Sequence, residues 1–87
     1  MEPSDQLKKT IESRYPCAAW HVGSVAVQSP DHRNYQVEIF RLVGHPHAHR
    51  CYAWSWERDG AICIETVLEL PPVASAESAV SAILGSL

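Results

Sequence analysis

The sequence predicts an α+β fold: a four-stranded antiparallel meander flanked by an N-terminal and a C-terminal helix, in the order α-β-β-β-β-α. Three observations predict it. Apolar residues recur at helical spacing near both ends of the chain. Between them lie four runs rich in β-branched and aromatic residues. Turn-forming residues separate consecutive runs, and short connections favour antiparallel neighbours.

Leu7 and Ile11 share one face of the first helix, with Arg14 and Tyr15 continuing it, while Lys8, Lys9, Glu12 and Ser13 face water. Ser4 suits the N-cap and Asp5 the first turn, where the helix dipole favours a carboxylate. Tyr15-Pro16 ends the helix, because a residue before proline avoids the α region. The strands follow at Ala19 to Gln28, Tyr35 to Val43, His49 to Glu57 and Ala61 to Leu70. Ser29 to Asn34 is a polar loop, and Gly44-His45-Pro46-His47 and Arg58-Asp59-Gly60 are turns. Pro71-Pro72 stops the sheet. A last helix begins near Val73 or Ser75, with Ser75 as N-cap, and buries Val80, Ile83, Leu84 and Leu87.

The last hairpin admits two registers. A three-residue loop with Gly60 left-handed sets Trp56 opposite Ile62, Trp54 opposite Ile64 and Tyr52 opposite Thr66. A two-residue Asp59-Gly60 turn sets Trp54 opposite Glu65 and Ser55 opposite Ile64. A slip of one residue exchanges faces, so burial decides between them. The first register makes one face wholly apolar, and both helices are expected to pack on that one face. The core is then Leu7, Ile11, Trp54, Trp56, Ile62, Ile64, Leu68, Val80, Ile83 and Leu84. The opposite face keeps Ala53, Ser55, Cys63 and Val67, and strands 1 and 2 carry apolar residues on both parities. An open sheet face normally alternates to polar residues. Something is expected to cover this one, and a second copy of so short a chain is the simplest candidate.

With 87 residues the chain is expected to form a single domain, 1–87. The charged fraction of 20% and apolar fraction of 46% fit a globular protein. A net charge of -3 argues against a phosphate-backbone ligand and against anionic membranes. No secretory signal and no spanning segment is read in the sequence. Three widely spaced cysteines point to reduced thiols, and a cytoplasmic location is expected.

The sharpest candidate site is His45-Pro46-His47-Ala48-His49-Arg50-Cys51. His45, His47, His49 and Cys51 fall at alternate positions, and imidazole and thiolate suit zinc or nickel. Structural zinc sites usually join two separated clusters, and this is one, so a His-rich hairpin loop is the competing reading. Cys51 beside His49, or Cys17 near His21, offers a thiolate nucleophile only in the loosest sense; no nucleophile motif surrounds them. Tyr52, Trp54 and Trp56 offer a stacking platform for single-stranded nucleic acid or a sugar, against a role in the core. Glu65 and Glu69 offer an acid pair. The helix–strands–helix order is similar to the double-stranded-RNA-binding arrangement, which has one strand fewer. Ser75-Ala76-Glu77-Ser78 stands where that family needs lysines, so the resemblance implies topology and not RNA binding. The expected function is a non-catalytic interaction module, forming a homodimer or docking on a protein partner through the open sheet face or edge. A metal-binding module and a small enzyme or ligand binder at the sheet surface are the alternatives.

Overall fold

A computed structural model describes residues 3–28 and 33–84, with the side chains of residues 3, 4 and 84 outside the description. Six elements follow one another: α1 (Pro3–Arg14), β1 (Ala18–Gln28), β2 (Asn34–Val43), β3 (Arg50–Arg58), β4 (Ala61–Leu68) and α2 (Ala76–Leu84). The strands form one antiparallel sheet in the order β1-β2-β3-β4. This is the predicted meander. The loop at 29–32, Leu87 and the side chain of Leu84 lie outside the described residues.

Local chemistry accounts for the boundaries. Ser4 lies within α1, which takes in Pro3; proline's fixed φ suits a first helical turn. Ser75 is the N-cap of α2: its Oγ accepts the Ser78 N–H at 3.1 Å, and Ser78 Oγ accepts the Ala74 and Ser75 N–H groups at 2.9 Å. Glu12, near the end of α1, accepts the Ala19 N–H at 2.9 Å and so ties the helix to the start of β1. That bond, then the Lys8 contact, holds the Glu12 carboxyl below its ordinary range.

The last hairpin takes the register that the sequence reading set aside. Arg58 pairs with Ala61, Trp56 with Cys63, Trp54 with Glu65 and Tyr52 with Val67. Asp59 (φ 52°) and Gly60 (φ 82°) are both left-handed, as a two-residue hairpin turn of matching twist requires. Ile62 therefore pairs with Glu57 and is 63% exposed rather than part of the core.

This register also separates the helices. Leu7 and Ile11 of α1 are buried with Ala19, Phe40, Leu42, Ala48, Cys51 and Ala53, and Ile64 and Leu68 pack against them. Ala76, Ala79 and Val80 of α2 are buried with Val27, Val37, Tyr52, Trp54 and Val73, with Trp56, Val67 and Ile83 alongside. Cys51 and Ala53 alternate with Tyr52 and Trp54 along β3, so the two clusters lie on opposite sides of the sheet. The expectation that both helices share one face is corrected accordingly: α1 covers one face and α2 the other. The apolar residues at both parities of β2 and β3 follow directly. Each side is interior where a helix lies on it.

Candidate functional site

The His-rich segment is organised by its own backbone. His45 Nδ1 accepts the N–H groups of His47 and Ala48, both at 3.0 Å, and its ring meets Tyr15 edge-on at 5.9 Å. This nitrogen closes the β2–β3 loop. His47 and His49 are exposed. The His49 carbonyl accepts the Leu42 N–H at 2.8 Å. Cys51 points into the α1 cluster, fully buried. Burial, above all, pushes its thiol from 9.0 up to about 12. Cys17, nearby, is also raised by burial. Among the described residues no three His, Cys, Asp or Glu side chains gather where a metal ion would sit.

The other sequence candidates are occupied structurally. Trp54 is 1% exposed beneath α2, and Tyr52 is buried beside it. Trp56 Nε1 donates to Glu65 Oε1 at 3.3 Å, while Tyr52 Oη donates to Glu69 Oε2. Glu65 and Glu69 thus serve different aromatic donors and form no acid pair. Burial, then the Glu69 contact, raises the Tyr52 hydroxyl from 10.0 to about 12. Glu38 is buried on the α1 face, where it meets His21 Nε2 at 2.9 Å and accepts from Gln36 Nε2 at 3.3 Å.

A different surface remains. The nine residues of α2 span about 13 Å and cover only part of their face. Beyond the helix, at the start of β1 and the end of β2, no described helix covers that face. Trp20 pairs with Arg41, Ala18 with Val43, and Arg41 with Arg50 across to β3. Directly paired residues project to the same side, and this side is the one opposite Ala19 and Leu42. The register shifts between His21 and Gly23, leaving Val22 as the extra residue of a β-bulge. Trp20, Val22 and Val43 are 59%, 56% and 50% exposed. The Lys8 ammonium lies 5.9 Å from the centre of the Trp20 ring, at the sheet's edge.

Two open clefts mark the same surface. One, of about 430 Å³, is lined by Val22, Arg41, His49 and Arg50. The other, of about 270 Å³, runs under the start of α2 between Ala74–Glu77 and Val25, Ile39, Arg50 and Tyr52. Arg50 borders both. Among the described residues Lys8 pairs with Glu12 and His21 contacts Glu38; neither Arg41 nor Arg50 has a carboxylate within 4.0 Å. The patch therefore combines three exposed apolar side chains with two exposed guanidinium groups, of which Arg50 also hydrogen-bonds the Tyr52 hydroxyl.

Sequence reasoning passed over Trp20, Arg41 and Arg50. They are far apart in the chain, and only the strand register and the Val22 bulge bring them to one side. No protein family, characterised protein or solved structure matches this chain.

Proposed function

We propose that the chain is a non-catalytic interaction module that docks on a protein partner through the part of its α2-side sheet face that no described helix covers. The observation that carries this reading is the adjacency of Trp20, Val22 and Val43, each at least half exposed, on the face that α2 partly covers. Large apolar side chains gathered in one exposed patch are characteristic of contact surfaces, and aromatic and arginine side chains are enriched where binding energy concentrates. A second copy suits the patch less well than a different protein. Two-fold pairing apposes a surface with itself, which here brings four guanidinium groups into one interface.

Selection from a random displayed-peptide library, followed by backbone amide shift mapping, tests the proposal. Selected peptides should shift Trp20, Val22 and Val43 and lose binding to the Trp20→Ala variant. Peptides that map elsewhere, or that bind Trp20→Ala as well as the unaltered chain, would overturn it.

A further inference from the structure

We infer that the partner segment is acidic: a short stretch in which one or two carboxylates flank an apolar side chain. This rests on the docking reading above and specifies the partner's chemistry. Arg41 and Arg50 stand directly opposite one another on β2 and β3. Like charges directly opposed across strands destabilise a sheet, and no carboxylate of the described residues forms an ion pair with either. Both are exposed; Arg50 hydrogen-bonds the Tyr52 hydroxyl, and Arg41 is left facing it across the strands. A carboxylate placed between them would be held by charge-assisted, two-pronged hydrogen bonds. It would also remove the repulsion that the free protein tolerates.

The neighbouring groups define the rest of the ligand. Trp20 pairs with Arg41, and Val22 lines the same cleft as both arginines. An apolar side chain next to the carboxylate thus meets an apolar surface. Glu77, in the first turn of α2, lines the smaller cleft, and Glu69 accepts a hydrogen bond from the hydroxyl of Tyr52, which lines it too. Together with the net charge of -3, they disfavour a long polyanion. Nucleic acid presents continuous negative charge and binds by neutralising many phosphates, and among the described residues Arg41 and Arg50 are the arginine and lysine side chains that line these clefts. A segment with few carboxylates gains from the arginines without meeting Glu69 and Glu77.

Three measurements on the full chain test this. The displayed-peptide selection is repeated with Arg41→Gln/Arg50→Gln, and sequences enriched by each protein are compared. Asp and Glu should be enriched by the unaltered chain and not by the double variant. A selected peptide and its Asp/Glu-to-Asn/Gln counterpart are then titrated, with Trp20 and arginine side-chain resonances as reporters. The acidic form should bind at least about tenfold tighter at low salt, and the advantage should shrink at 0.5 M salt as screening predicts. Finally, an oligothymidylate is titrated under the same conditions and should leave the Trp20 signal unmoved. Equal binding of acidic and amide peptides at the patch would overturn the acidic inference while leaving docking intact. Peptides that never reach Trp20 would overturn both. Tighter binding of the oligonucleotide, or a dimer in light scattering with Trp20 at its interface, would overturn the choice of occupant.

Discussion

The register of the last hairpin can be decided by two substitutions at one position. Asp59 has φ 52°, followed by Gly60 at φ 82°. In a three-residue loop ending in a left-handed Gly60, residue 59 instead has negative φ. Asp59→Gly and Asp59→Ala both delete the same carboxylate, so their difference isolates the backbone. With φ positive, alanine suffers the Cβ–carbonyl crowding of the left-handed region, about 1–2 kcal/mol, which glycine escapes. With φ negative the order reverses, because glycine loses more freedom on folding, by about 0.5–1 kcal/mol. The two registers thus predict opposite signs. The structure requires Asp59→Gly to be more stable than Asp59→Ala by about 1–2 kcal/mol less glycine's extra entropy loss. For a domain of this size each kcal/mol corresponds to about 4–8 °C in Tm. Thermal unfolding followed by circular dichroism, with urea unfolding for the free energies, reads the difference directly. Asp59→Ala more stable than Asp59→Gly would refute the two-residue turn, and with it the pairing of Trp54 with Glu65.

Three further outcomes follow. Trp54→Ala should cost about 3–5 kcal/mol in urea unfolding, as deletion of a large buried aromatic does, whereas Ile62→Ala, at an exposed position, should stay within about 0.5 kcal/mol. Arg41→Gln should stabilise the free protein by about 0.2–1 kcal/mol at low salt by removing the repulsion with Arg50, and the gain should vanish at high salt; no gain would mean that the pair is already neutralised. Alkaline pH should destabilise the fold: Cys51 and Tyr52 keep their protons to about 12 when folded but release them near 9.0 and 10.0 when unfolded, so their contribution is complete below about pH 9 and lost as pH rises toward 12. Tm measured against pH checks this, and a flat profile from pH 8 to 11 would contradict it.

The order of elements was legible because punctuation is local. Pro16, Gly44, Asp59-Gly60 and Pro71-Pro72 each limit a run by their own backbone preferences. The register and the helix placement were not legible, for one shared reason. Choosing the three-residue loop assumed a sheet with one interior face, so that Tyr52, Trp54, Ile62 and Ile64 had to lie together. With a helix on each side, apolar residues occupy both parities, and alternation no longer distinguishes the registers. Trp54 opposite Glu65 then looks unfavourable in the sequence, yet Glu65 accepts the Trp56 indole proton. The metal candidates were legible as a pattern, but His45 is used by the loop and Cys51 by the interior. The Trp20 patch required the β1–β2 pairing and its bulge, neither of which has a signature in β1 alone.

The meander has a consequence for how the chain reaches this state. Each strand pairs with its sequence neighbour, so each closure spans a small loop and the entropic barrier to assembling the sheet is low. The surfaces the helices pack on are completed only when β3 joins, because Cys51 and Ala53 complete one cluster and Tyr52 and Trp54 the other. The third strand is therefore the point at which both ends of the chain acquire something to fold against. Substitutions in β3 should slow folding itself, whereas those confined to either helix should mainly hasten unfolding.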